Sequence, residues 1–169
     1  AASDVYKRQF LAGLSMGGYG ALRNGLNYPE TFGYAAGLSS AFILDLAAAS
    51  GQDSDSERIP AHGRSYYESV FGDLTKLKGS DRDPEALVKN LKKSQKRVPK
   101  LYLACGTDDP LLDANRAFHN FLKEQGVEHT YEEGPGAHEW DFWDRMIKRV
   151  IDWLPLGKSV SGINSGNVV

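Results

Sequence analysis

Short apolar runs alternate with longer segments of helical spacing along the chain, and glycine or proline stands at most of the boundaries. Residues 10–14 form a compact apolar run with the length of a buried strand. They are followed by residues 18–28, where Ala21, Leu22 and Leu26 fall on one helical face before Pro29 stops the pattern. The same reading predicts buried strands over 32–38 and 101–105. It predicts a helix over 112–125, with Ala114, Ala117, Phe118, Phe121 and Leu122 on its inner side and Gly126 as its C-cap. Residues 127–132 alternate as a further strand, and a last helix buries Trp143, Ile147, Val150, Ile151 and Leu154. Strands that take turns with helices imply an α/β fold, a mostly parallel sheet with flanking helices.

Between 41 and 99 the pattern loses its apolar density, which reads as an insertion between strands rather than a second domain. Asp53, Asp55 and Glu57 alternate as in a calcium loop. The turn glycine and terminal bidentate glutamate are absent, so a solvated loop is the simpler reading. Tyr66 and Tyr67 are candidate walls of a substrate pocket, with packing as the simpler reading. Asp83 followed by Pro84 is a helix start, with the aspartate as N-cap and proline at the first position. The basic run Lys92, Lys93, Lys96, Arg97 and Lys100 reads as a solvated helix end. Residues 157–169 lack periodicity and read as a loose tail. Residues 1–9 match one reading frame of a transposase-type sequencing adapter, which predicts that they are an assembly artefact and that the natural chain is visible from Phe10. The start of the chain then says nothing of a signal peptide.

Composition narrows the partners. With 169 residues, 41% hydrophobic and 25% charged, the chain can build one sizeable core. Its 20 basic and 22 acidic residues leave a net charge of -2 without a basic stripe, which argues against nucleic acid. No apolar run approaches the roughly 20 residues that span a bilayer. A small molecule is the expected partner, and the oligomeric state is left open. The lone Cys105 cannot form an intrachain disulfide and favours a reducing, cytoplasmic compartment.

The chemistry centres on Gly13-Leu14-Ser15-Met16-Gly17-Gly18. An apolar strand leading into a glycine-rich helix start is the context of a nucleophile elbow. There Gly13, Gly17 and Gly18 would clear space for a sharp turn, Ser15 would stand exposed at its tip, and the Met16 amide would face a developing oxyanion. An acidic loop, Gly106-Thr107-Asp108-Asp109-Pro110, follows the third strand, and Gly134-Pro135-Gly136-Ala137-His138 follows the fourth. Serine, aspartate and histidine in that order, each after a strand, give the triad order of the α/β-hydrolase fold. Ser15 would be the nucleophile, His138 the base, and either Asp108 or Asp109 the acid. Neither metal nor organic cofactor is required by this chemistry. His62, His119 and His129 read as structural or solvated. Trp140 and Trp143 could shape the acyl pocket, with Trp143 also placed to anchor the last helix.

Three segments, Gly-Leu-Ser-Met-Gly-Gly-Tyr-Gly-Ala-Leu at 13–22, Cys-Gly-Thr-Asp-Asp at 105–109 and Gly-Pro-Gly-Ala-His-Glu-Trp-Asp-Phe-Trp at 134–143, resemble the Putative esterase family of α/β-hydrolases. That family includes bacterial tributyrin esterases, feruloyl and acetylxylan esterases and S-formylglutathione hydrolases, and the last two segments look most like the tributyrin esterase branch. The resemblance covers nearly all of 10–156 and implies that Asp109 is the acid. It implies a serine carboxylesterase acting on short-chain acyl esters, with feruloyl, acetylxylan or formylglutathione substrates as alternatives. A non-catalytic binding module or inactive fragment of the same fold is the competing class. Relatives carry strands before the elbow and a loop there that gives a second oxyanion-hole amide. The resemblance therefore implies a C-terminal portion of the fold, with the N-terminal strands missing and 10–14 left as an unpaired edge. A chain of that kind would associate through the edge and hydrolyse esters poorly by itself.

Overall fold

A computed structural model describes residues 9–50 and 63–156. The readings made for 1–8, for His62, for the acidic stretch with Asp53, Asp55 and Glu57, and for 157–169 lie outside the described residues. Four parallel strands pair in chain order: β1 (Gln9–Leu14), β2 (Phe32–Leu38), β3 (Lys100–Gly106) and β4 (His129–Gly134). Parallel neighbours cannot be joined by a tight hairpin, so every connection carries helix. These are α1 (Met16–Asn27) after β1, and α2 (Leu44–Ala49), α3 (Arg64–Phe71) and α4 (Pro84–Lys93) after β2. The chain continues with α5 (Leu112–Glu124) after β3 and α6 (Trp140–Trp153) after β4.

Successive side chains on a strand point to opposite faces, and this sorts the core into two layers. Ala35, Leu101 and Leu103 face Leu22 and Leu26 of α1, Val88 of α4, and Phe118 and Leu122 of α5. Ala36, Leu38, Tyr102 and Ala104 face Phe142, Trp143, Met146 and Val150 of α6. A satellite cluster of Tyr19, Leu44, Tyr67, Phe71 and Leu77 closes over α2 and α3. β3 is buried from Leu101 to Gly106, whereas β1 lies at the edge of the sheet among the described residues and is only half-buried. Among these residues no helix is long and apolar enough to cross a membrane.

Two boundaries differ from the sequence pattern for identifiable reasons. Helix α1 starts at Met16, not Gly18, because the Tyr19 amide already donates to the Ser15 carbonyl at 3.1 Å and closes the first turn on the serine itself. β4 starts at His129, not Val127. The Gly126 amide donates to the Lys123 carbonyl and the Val127 amide to that of Leu122, with Gly126 at φ 62°, so the helix cap consumes both groups before the strand begins. The polar segment 41–99 is more than loop: Leu87, Val88 and Leu91 of α4 enter the main core. Its N-cap forms as the sequence suggests, Asp83 accepting from the Glu85 and Ala86 amides at 3.0 and 3.3 Å.

His119 and His129 meet between α5 and β4, with Nδ1 of the first 2.7 Å from Nε2 of the second, and the His119 ring stacks on Tyr131 at 4.1 Å. Burial lowers the His119 pKa below its ordinary value; the neighbouring charges of His129 and Lys123 push the same way and Glu133, itself paired with Arg116, opposes them. A histidine depressed in the folded state contributes stability that is present above its unfolded value of about 6.5 and is lost as pH falls through the folded value. Wild type should accordingly lose stability relative to His119→Gln as pH drops below about 6.5, read by urea denaturation at several pH values. A difference that stays constant or changes in the opposite sense would refute this assignment.

Candidate active site

The loops that matter all leave the same ends of the parallel strands, the C-terminal ends, where open α/β sheets gather ligand-binding residues. At the end of β1 the chain turns so tightly that Ser15 adopts φ 54°, ψ -122°. A non-glycine residue held there stores on the order of 1–3 kcal/mol of strain, and its surroundings must enforce it. The enforcement comes from the adjacent end of β2: the Ser15 amide donates to the Leu38 carbonyl at 2.9 Å, and the Ala41 amide donates to the Ser15 carbonyl at 3.0 Å. Residues 37–41, at the end of the strand read over 32–38, thus buttress the serine turn. Close approach at the turn falls on Gly13 and Gly18. A Cβ on Gly13 would sit 2.2 Å from the Gly17 carbonyl oxygen, and one on Gly18 would sit 2.8 Å from the Ser40 hydroxyl and 3.0 Å from the Leu38 carbonyl. Gly17 differs from expectation, because a Cβ there meets nothing within 4 Å.

The loops after β3 and β4 are fastened to each other. The Thr107 amide donates to the Gly134 carbonyl at 2.9 Å and the Asp108 amide to that of Gly136 at 3.0 Å. Of the two aspartates, Asp108 is exposed and Asp109 turns inward with its side chain fully shielded from solvent. One Asp109 carboxylate oxygen accepts from the Leu111 amide at 2.8 Å, and the other lies 2.9 Å from His138 Nδ1. His138 Nε2 lies 3.0 Å from Ser15 Oγ. A carboxylate only accepts, so Nδ1 carries the proton in neutral imidazole and Nε2 is left to accept from the serine hydroxyl. Ser15, His138 and Asp109 therefore form one continuous hydrogen-bonded line. The Met16 amide opens α1 beside Ser15, among the first N–H groups of a helix, which have no intrahelical acceptor and sit at its positive end.

Behind the imidazole stands Trp143, edge-on at 4.8 Å, its indole N–H donating to the Ser39 hydroxyl at 3.0 Å. Trp140 packs on Trp143 but is itself largely exposed. Both line an apolar cleft of about 330 Å³ with Ala12, Gly13, Leu14 and Ile147, along the flank of β1. Tyr67 is instead buried in the satellite cluster and Tyr66 is exposed on α3, and neither lines this cleft. Burial, with the charge of Asp109 adding to it, pushes the Cys105 thiol up to about 12, so it offers no competing thiolate nucleophile. Among the described residues no group of three or more His, Cys, Asp or Glu is placed to hold a metal ion.

The family model described as Putative esterase matches residues 1–153. The chain belongs to the Putative esterase family. This member is similar to an acetyl esterase of Caldicellulosiruptor saccharolyticus, 47% identical over 148 residues that cover 88% of this chain and 54% of that one. It is also similar to two solved structures from Staphylococcus aureus. One is fluorophosphonate-binding serine hydrolase F, at 34% identity and a TM-score of 0.73 over 88% of this chain and 55% of that chain. The other is an S-formylglutathione hydrolase, at 32% identity and a TM-score of 0.72 with the same coverage. The chain thus spans about half the length of the relatives it matches. For this esterase-family chain the close approach at the serine turn predicts a sharp contrast between glycines. Gly13→Ala should destabilise by about 1–3 kcal/mol or more, because the new Cβ collides with backbone. Gly20→Ala, in α1 with open space around the new methyl, should be neutral or add up to about 1 kcal/mol. Urea denaturation measures both, and equal effects would contradict the geometry.

Proposed function

We propose that Ser15, His138 and Asp109 act as a catalytic triad that hydrolyses short-chain acyl esters through an acyl-enzyme. The hydrogen-bonded line from Ser15 Oγ through both imidazole nitrogens to the buried Asp109 carboxylate carries this reading. His138 Nε2 takes the hydroxyl proton as Oγ forms a bond to the acyl carbon. The carbonyl oxygen becomes an oxyanion near the Met16 amide, whose stabilisation is worth most where charge develops. Collapse breaks the bond to the leaving alcohol, and the imidazolium returns the proton to that oxygen. Water, deprotonated by the same nitrogen, then attacks the acyl carbon; Oγ leaves with the proton and a carboxylic acid departs. Asp109 holds the imidazole tautomer and offsets its charge without itself taking the proton. The acetyl esterase relative supports a small acyl group. The S-formylglutathione hydrolase neighbour favours a second reading, in which the ester oxygen is replaced by thioester sulfur and the same steps apply.

On p-nitrophenyl acetate, Ser15→Ala should lower turnover by at least about 10⁴-fold and Asp109→Asn by on the order of 10⁴-fold, while Asp108→Asn stays near wild type. Near-normal turnover in Asp109→Asn, or loss in Asp108→Asn alone, would move the acid to Asp108. Parallel assays on feruloyl, acetylated-xylan and S-formylglutathione substrates discriminate the leaving group.

A further inference from the structure

Five polar or charged residues are buried among the described residues, and four of them, Ser39, Ser40, Asp109 and Asn115, crowd the C-terminal ends of β2 and β3. Asn115 has no place in the reaction just described. It lies on the inner stripe of α5 with Phe118, Phe121 and Leu122, fully shielded from solvent, where a bare carboxamide would be costly. Every hydrogen bond it makes with its side chain goes to backbone at the site. Oδ1 accepts from the Ser40 amide at 3.1 Å, and Nδ2 donates to the Ser40 carbonyl at 3.0 Å and to the Leu111 carbonyl at 2.9 Å. Both polar backbone groups of Ser40 are thereby held by one side chain. Ser40 precedes Ala41, whose amide grips the Ser15 carbonyl, and Leu111 supplies the amide that grips Asp109.

The geometry points to Asn115 as a positioning residue for hydrolysis, its carboxamide tying the acid loop to the serine turn so that His138 can touch both. This role rests on the triad reading. Ser15, His138 and Asp109 join across the mouth of the site, and Asn115 joins the same two segments from beneath, closing a ring. Only an amide fits this place. Leucine fills similar volume but orphans the Ser40 amide and leaves the Ser40 carbonyl only the Phe42 amide, and aspartate keeps the acceptor while setting negative charge against two carbonyls.

The test uses Asn115→Leu and Asn115→Asp in the full chain, with Phe121→Leu as a core substitution on the same helix that does not touch the ring. Three readouts are needed: kcat and KM on p-nitrophenyl acetate, the thermal melt, and the downfield proton resonance of the His138 Nδ1–H bonded to Asp109. Both Asn115 variants should lower kcat on the order of 10- to 100-fold with KM little changed, because a misplacement of about 1 Å costs that much. They should also weaken or shift the downfield resonance. Phe121→Leu should lose melting temperature yet keep kcat and the resonance. In an Asp109→Asn background the further loss from Asn115→Leu should nearly vanish, since the two act on one alignment. If Asn115→Leu does not fold, the isosteric Asn115→Asp carries the same comparison. Folded Asn115 variants with wild-type kcat and an unchanged resonance, or losses fully additive with Asp109→Asn, would overturn the positioning role. Wild-type protein that lacks both the resonance and Ser15-dependent fluorophosphonate labelling would instead overturn the triad reading.

Discussion

The serine turn is held by its neighbour strand, and the remainder of the site is arranged around that hold. Ser15 keeps a positive φ only because the end of β2 grips it on both sides, its amide on the Leu38 carbonyl and its carbonyl on the Ala41 amide. Strain of this kind survives where the surroundings over-determine the backbone. Here the surroundings are a parallel sheet whose strands end together, so that three loops far apart in sequence converge above one edge of the core. The Ser39 amide donates to the Ala104 carbonyl at 2.7 Å, which fixes the end of β2 to β3 in turn. Rigidity thus passes from β3, the most buried strand, outward to the turn that carries the hydroxyl.

The imidazole is positioned by a second set of contacts that share this foundation. The loop bearing His138 is fastened to the loop bearing Asp109 through the Thr107 and Asp108 amides, and the two approach so closely that a Cβ on Gly106 would lie 2.2 Å from the Gly136 carbonyl oxygen. Trp143 backs the ring, and its own indole is tied to Ser39 on the β2 end. Substitutions in the core beneath these loops, such as Leu103 or Phe142, therefore act on alignment as well as on stability.

The four strands, four of the six helices and the pairing of Ser15 with His138 were legible in the sequence because each rests on local signals, whereas the short helices α2 and α3 were not. An apolar run ahead of Gly-Leu-Ser-Met-Gly-Gly marks a turn, and a glycine-rich loop ahead of a helix marks a presented side chain. The choice between Asp108 and Asp109 was not local: it depends on which carboxylate the Leu111 amide and the Gly136 carbonyl turn inward, and adjacent residues look alike in sequence. Asn115 was illegible for a stronger reason. Its partner Ser40 is 75 residues away, and along the helix it reads only as a polar interruption of an apolar stripe. The start of β4 was misplaced because cap chemistry at Gly126 outranks alternation, whereas Tyr67 takes the packing alternative open to it in the sequence, because an aromatic ring serves a satellite core as readily as a pocket.

The most direct measurement of the central claim is intact-protein and peptide mass spectrometry after rapid mixing with p-nitrophenyl acetate and acid quenching. Acylation through the Ser15–His138–Asp109 line predicts a transient gain of one acetyl group, confined to the peptide containing Ser15 and absent from Ser15→Ala. Turnover with no acetyl-enzyme under conditions where deacylation is slowed, or an acetyl group mapped to another residue on the productive time scale, would contradict it.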